Sequence, residues 1–364
     1  MNSIRFFVLL FFSITLSFSD QTYSKQEIEK MIAKMVILGF DTPTATPNDE
    51  IYKNVKAGLG GVILFDKNPN DKTKIKNIKN KEQLRTLTSQ LQSISKQKIL
   101  IGIDQEGGVV QRLKAQDGFV DTPSAKDIAN SGENVAKSRY KLLAKDLSEA
   151  GINLNFAPVV DLSINKNNKV IVQKDRSYGE SSSEVVKYAS IFVDELKKEH
   201  VISVLKHFPG HGSSLDDSHL GFVDISQTWN EKELEPYKYF IKNGKVDMIM
   251  TAHVFNDRLD KNYPSTLSYN VNTNLLRNKL GYDGVLISDD LQMSAISKHY
   301  DLKQTLTLSI NSGVNLLLFA NQLQKPITLK EIVDTVYAQI VNKEIPLEAI
   351  INSNKKIDSL LAKY

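Results

Sequence analysis

Cysteine is absent from all 364 residues. That excludes a disulfide framework, a thiol nucleophile, a thiolate metal site and a lipid-modified cysteine behind a leader. An excess of one charge is missing too: 46 Lys and Arg face 42 Asp and Glu, a formal net charge of +4. The surplus lysines are scattered and not interleaved with aromatics, so the footprint of a nucleic-acid binder is lacking. Beyond the N-terminus no run is long and apolar enough to span a bilayer. Low-complexity tracts and long linkers are also lacking. Histidine is scarce, with six in the chain, and this makes its placement informative.

What is present begins with a leader. Arg5 precedes an apolar stretch from Phe6 to Leu16, and Ser17-Phe18-Ser19 offers small residues at the two positions a signal peptidase reads. Met1 to Ser19 therefore reads as a secretory signal peptide cut before Asp20, with an uncleaved N-terminal anchor as the alternative. Either way the folded part, 20–364, is expected outside the cytoplasm, periplasmic or secreted. Once cut, it is expected to hold no stable association with a membrane.

The hydrophobic content of 41% is ample for one large core, and barrels of this length are commonly single domains. Ser24-Lys25-Gln26-Glu27 is a capping box opening a helix towards Ile37. Apolar strand runs follow at Met35–Gly39, Gly61–Phe65, Ile99–Ile103, Asn153–Pro158, Val201–Leu205, Met248–Ala252, Val285–Ser288 and Leu316–Phe319. Amphipathic stretches alternate with them at Asp49–Lys56, Lys81–Lys96, Glu133–Ala150, Glu184–His200, Glu231–Asn243, Thr273–Lys279, Leu302–Asn311 and Leu329–Ile340. A last helix begins near Pro346, which suits a first helical position. Nearly all-apolar strands alternating with helices indicate an α/β protein with a parallel sheet covered on both faces. A doubly wound sheet and a single closed (β/α)8 TIM-like barrel both fit. The barrel is favoured because Asp104, Asp161, Lys206-His207, His253 and Asp289 each follow a strand run, and in a barrel those positions converge on one mouth.

One stretch concentrates the chemistry. Residues 206–219, Lys-His-Phe-Pro-Gly-His-Gly-Ser-Ser-Leu-Asp-Asp-Ser-His, hold three of the six histidines. Pro209, Gly210 and Gly212 exclude a regular helix, so Lys206 and His207 are placed where the strand ends and the remainder in an irregular loop. A solvated surface loop, a metal site and a catalytic loop are the competing readings. His207 and His211 are spaced like the ligands of His-Glu-x-x-His, but Phe-Pro-Gly stands between them and the glutamate is missing, so that geometry fails. In the catalytic reading Asp217 orients the imidazole of His219 and tunes its proton affinity. Elsewhere, Val285 to Ser288 is an apolar strand ending in Asp289-Asp290. Asp289 is expected to point into the mouth, with a helix-capping aspartate as the bland alternative. Ile101 to Gly108 is a second strand with an acidic end, Asp104-Gln105-Glu106.

The stretch Lys206 to Gly212, followed by Asp217-Ser218-His219, resembles the signature loop of family 3 glycoside hydrolases. More narrowly, it is similar to that of bacterial β-N-acetylglucosaminidases acting on cell-wall fragments, a branch marked by the Asp-x-His ending. The loop departs at Ser213-Ser214, where Asp-Thr is common. Ser-Asp-Asp-Leu at 288–291, Asp104-Gln105-Glu106-Gly107-Gly108 with Gln111-Arg112, and Asp175-Arg176-Ser177-Tyr178-Gly179 are similar to further motifs of the family. The resemblance implies a catalytic barrel of the family's N-terminal type over 20–364, acting as a retaining exo-enzyme on terminal β-linked N-acetylglucosamine of muropeptides or oligosaccharides. It implies Asp289 as nucleophile, His219 as acid and base with Asp217, and Asp104, Arg112, Arg176, Lys206 and His207 as sugar-holding groups. Arg112 is expected to hold Asp104 in a charge-assisted pair, and His253 to support the site from the core. No metal or organic cofactor is implied. Phosphorolysis stays open, since an imidazole adds no negative charge that would repel an anionic acceptor. So do a broader hexosaminidase or β-glucosidase, and a secreted sugar-binding barrel without turnover.

Overall fold

A computed structural model describes residues 16–18, 21–69, 71, 73–216, 221–322 and 325–364. The strands are β1 Val36–Gly39, β2 Gly61–Leu64, β3 Leu100–Ile103, β4 Leu154–Asn155, β5 Ile202–Phe208, β6 Met248–Thr251, β7 Val285–Ile287 and β8 Leu317–Phe319. Every residue in them is buried, as strands covered on both faces must be. They pair in the order β8-β1-β2-β3-β4-β5-β6-β7, all parallel. The two ends of that order meet in a parallel bridge between Ile287 and Leu316. There the Ser288 N–H donates to the Leu316 carbonyl at 3.0 Å and the Leu316 N–H to Leu286 at 3.1 Å. The sheet is thus a closed (β/α)8 barrel. At Gly39 any Cβ would fall 1.8 Å from the Ala320 carbonyl oxygen, so only glycine lets β1 approach the end of β8 this closely.

The surrounding helices are α1 Lys25–Lys34, α2 Glu50–Lys56, α3 Lys81–Ile94, α4 Ala125–Ser131, α5 Glu133–Glu149, α6 Ser182–Lys198 and α7 Glu235–Lys242. They continue as α8 Ser294–Ser297, α9 Leu302–Ser312, α10 Leu329–Val341 and α11 Leu347–Leu361, with a π-helix over Asn270–Lys279 between β6 and β7. In α3 the buried Leu84, Leu87, Thr88 and Leu91 form one stripe at helical spacing, and the Asn80 side chain accepts the Gln83 N–H at the start. One continuous core runs from Ile28 to Leu360.

Several boundaries differ from the sequence reading. The capping box opens α1 as expected, but the helix ends at Lys34 and the chain turns into β1 at Val36. Strand β5 does not stop at Leu205; it carries Lys206, His207 and Phe208 within it. Pro346 caps α11 from outside and Leu347 is its first residue. Helices α4 and α8 were not expected. Of the expected leader, Met1–Ser19, Leu16–Phe18 are described, paired antiparallel with Gln21–Tyr23; the rest lies outside the described residues. Among those described, no helix is long and apolar enough to cross a membrane.

Candidate active site

The strand ends converge as a parallel barrel requires. Asp104 follows β3, Lys206 and His207 sit in β5, and Asp289 follows β7. Arg112 and Arg176 enter from the loops after β3 and β4. All six line one cavity of about 560 Å³, whose walls include Phe65, Phe156, Met250 and Met293. Asp217 and His219 lie outside the described residues.

A charged lattice forms the floor. The Lys206 ammonium donates to Asp104 Oδ1 and Glu106 Oε1, each at 2.8 Å. Arg176 grips Glu106 with both arms, Nε to Oε2 at 2.8 Å and Nη2 to Oε1 at 2.7 Å, while Nη1 donates to the Val170 carbonyl at 3.1 Å. Burial works against the charges of Lys206, Glu106 and Arg176, but their partners prevail. Burial pushes the Lys206 ammonium down, yet Asp104 and then Glu106 hold it above its ordinary value. Burial pushes the Glu106 carboxyl up, yet Arg176 and then Lys206 hold it well below the usual carboxylate range. Arg176 is likewise held above its ordinary value against burial, chiefly by Glu106. Asp104 is the open member: its side chain is 20% exposed against 3% for Lys206, so it can accept hydrogen bonds from ligand hydroxyls.

The expected Arg112–Asp104 pair is present as a long ion pair without a direct hydrogen bond. Arg112 Nη2 is 3.8 Å from Asp104 Oδ2, beyond hydrogen-bonding range, and the direct hydrogen bond to Asp104 comes from Lys206. The Arg112 guanidinium also lies 5.4 Å over the Phe65 ring, a cation–π arrangement.

His207 is held from behind. Its Nδ1 lies 2.7 Å from Asp161 Oδ2. The other oxygen of Asp161 accepts the backbone N–H of His207 at 3.2 Å and that of His211 at 2.9 Å. Burial pushes the Asp161 carboxyl up, but His207 and His211 outweigh it and keep it below its ordinary value. Burial, then His207, push the His211 imidazole down to about 4, so that ring is neutral near pH 7.

Beyond β5 the stem of the loop is clamped. The Asn168 amide donates to the carbonyl of His211 at 2.7 Å and to Ser214 Oγ at 3.0 Å. The Asn165 amide donates to the carbonyls of Ser213 and Ser214. Glu233 Oε2 accepts the Gly212 N–H at 2.8 Å. Burial, outweighing contacts with Ser213 and Gly212, pushes the Glu233 carboxyl up to about 7. A Cβ at Gly212 would lie 1.8 Å from the Leu162 carbonyl oxygen, so glycine is needed for this approach.

At the opposite wall, Asp289 Oδ1 accepts the Asp290 N–H at 2.8 Å. Asp290 is a supporting group: its Oδ1 accepts the N–H of Gln292 and of Ala320, both at 3.1 Å. Ser288 Oγ accepts the Leu318 N–H at 3.0 Å. His253 is buried beneath, its Nε2 2.9 Å from the Asp290 carbonyl and Nδ1 2.7 Å from Thr266 Oγ1, in keeping with a core position.

Asp104, Arg112, Arg176, Lys206, His207 and Asp289 are therefore brought to one cavity. Sequence reasoning missed Glu106, Asp161 and Glu233 as organisers of that cavity. Glu106 stood inside a quoted motif and Asp161 at a quoted strand end, but their partners lie 46 to 100 positions along the chain. A carboxylate, an ammonium, guanidiniums and imidazoles on a partly aromatic wall suit a compact, hydroxyl-rich ring.

Comparison with known proteins follows the same direction. The model of the glycosyl hydrolase family 3 N-terminal domain matches residues 27–360. A beta-hexosaminidase A from Pseudoalteromonas piscicida is 35% identical over 282 residues, covering 71% of this chain and 45% of that protein. A beta-hexosaminidase from Tolumonas auensis is 34% identical over 269 residues, covering 72% of this chain and 76% of that protein. The chain thus matches about half of the former and three quarters of the latter. A glycoside hydrolase family 3 beta-N-acetylglucosaminidase from Paenibacillus superposes with a TM-score of 0.82 at 30% identity, covering 92% of this chain and 62% of that one.

Proposed function

The chain belongs to glycosyl hydrolase family 3, and from that premise we propose that it is a retaining exo-β-N-acetylglucosaminidase, releasing terminal N-acetylglucosamine from peptidoglycan-derived fragments. Asp104, Arg112, Arg176, Lys206 and His207 hold the sugar. Asp289 attacks the anomeric carbon, and His219, oriented by Asp217, gives its proton to the departing oxygen. His219 then takes a proton from water, whose oxygen replaces the Asp289 carboxylate on the sugar. No metal or organic cofactor takes part in this scheme.

One convergence carries the reading: Asp289 lines the same cavity as Asp104, Arg176, Lys206 and His207, though these residues come from four separate segments of the chain. The names of the Tolumonas and Paenibacillus relatives support the choice of N-acetylhexosamine. The test is turnover of an aryl β-N-acetylglucosaminide against the matching aryl glucoside. Preference for the glucoside, or no turnover of either, overturns the reading. Release of sugar 1-phosphate in phosphate buffer would replace hydrolysis by phosphorolysis. In the same proposal the leader Met1–Ser19 exports the chain, and a mature N-terminus at Asp20 in the exported protein is the expected finding.

A further inference from the structure

Asp161 takes no part in the chemistry above, yet it joins two parts of it. It is 1% exposed, and both its oxygens are committed to the segment that bears the sugar-holding histidine and leads to the Asp217–His219 pair. Resting on the proposed glycosidase reading, we infer that Asp161 is a positioning residue that fixes the ring of His207 with its proton on Nδ1 and its Nε2 towards the sugar, and anchors the stem of the following loop through the His211 N–H.

The argument is one of donors and acceptors. A carboxylate can only accept, so the 2.7 Å contact from Asp161 Oδ2 to His207 Nδ1 requires the proton to be on Nδ1. In the neutral ring Nε2 is then a bare acceptor, able to take a hydrogen bond from a sugar hydroxyl. The cations of the floor are all donors, so Nε2 and Asp104 would together supply the acceptor side of sugar recognition. Asp161 Oδ1 simultaneously takes two backbone N–H groups, that of His207 within β5 and that of His211 in the loop beyond it. One buried carboxylate therefore sets both a ring and a backbone path. Among the described residues, the ionisable groups around it are His207, His211, Arg176, Glu233 and Tyr237, and of these the two histidines hydrogen-bond to its carboxylate.

Asp161→Asn separates the two duties. The amide oxygen still accepts both backbone N–H groups, while the amide nitrogen now donates to His207 Nδ1 and drives the proton to Nε2. The expected result is a fall in kcat/KM on an aryl β-N-acetylglucosaminide of about ten- to a hundredfold, the scale for a hydrogen bond involving a charged group, expressed mainly in KM. In a His207→Ala background the same substitution is expected to cost less than about threefold, because the two residues then act as one unit. Equal losses in both backgrounds would overturn the inference. Ring ¹⁵N shifts of His207 in the unmodified protein give an independent check, needing neither turnover nor a folded variant. Protonated Nδ1 is expected, and a neutral ring protonated on Nε2 refutes the assignment. If the ring shifts agree but no glycoside is turned over, the proposed function fails and the positioning role of Asp161 survives.

Discussion

Glu106 carries no proposed chemical step, and its loss is expected to be costly. It is the buried, shared counter-ion of Lys206 and Arg176. Glu106→Ala leaves two buried cations with one partner fewer, and breaking such an arrangement costs roughly 3–5 kcal/mol. Chemical denaturation of the variant should show that loss, and a change within about 0.5 kcal/mol, the scale of an ordinary surface substitution, would contradict the lattice described above. Asp289→Ala should behave oppositely. Asp289 is half-buried at the cavity wall and belongs to no buried cluster of opposite charges like that around Glu106, so the fold should persist while turnover falls by about six orders of magnitude, the scale seen when a covalent enzyme loses its nucleophile. His219→Ala should slow glycosides with poor leaving groups by about 10²–10⁴, the range for general acid catalysis, and activated aryl glycosides far less.

At the scale of elements, the stem 211–214 is the sensitive piece. Gly212→Ala drives a Cβ into the Leu162 carbonyl; the backbone must yield, at about 1–3 kcal/mol for overpacking, and activity should fall with it. Glu233 gives the same element a pH dependence. In the folded protein its carboxyl stays neutral up to about 7, against an ordinary value of 4.5. Between those pH values the unfolded chain has lost that proton and the folded chain has kept it. Stability contributed by this group is therefore complete below pH 4.5 and declines as pH rises through 7, by roughly 3 kcal/mol in all. Glu233→Gln keeps an acceptor for the Gly212 N–H and should flatten that part of a urea-midpoint profile between pH 5 and 8. An unchanged slope would mean another group is responsible. Elements were also where sequence and structure agreed best. Parallel strands buried on both faces write themselves as apolar runs, and all eight were legible. β5 was cut short because Lys206 and His207 look like a strand's end; inside a barrel mouth, a polar residue can stay in the ladder if a partner such as Asp161 or Glu106 meets it. Those partners were not legible, because nothing local in Gly102–Gly108 or Pro158–Leu162 announces which distant side chain will arrive.

For the molecule as a whole, stability rests on one core that α1 and α11 help to enclose. The Asn354 amide in α11 donates to the Met31 carbonyl at 2.9 Å, and Ile350, Ile357 and Leu360 are buried below it. Ile350→Ala should therefore lower the unfolding free energy by about 2–5 kcal/mol, in a single transition with the rest of the barrel; a separate early transition for the C-terminal helix would argue that it is an independent unit. The bridge from Ile287 to Leu316 has a further meaning. The segment holding Asp289 and Asp290 leaves the ribosome well before Leu316–Ala320, the stretch whose N–H groups it must receive. A nascent or prematurely terminated polypeptide could carry all of its sugar-gripping side chains with its proposed attacking group still unseated. On the proposed mechanism, competence to turn over a glycoside then waits on the arrival of the last strand, and a chain truncated ahead of Leu316 would lack it.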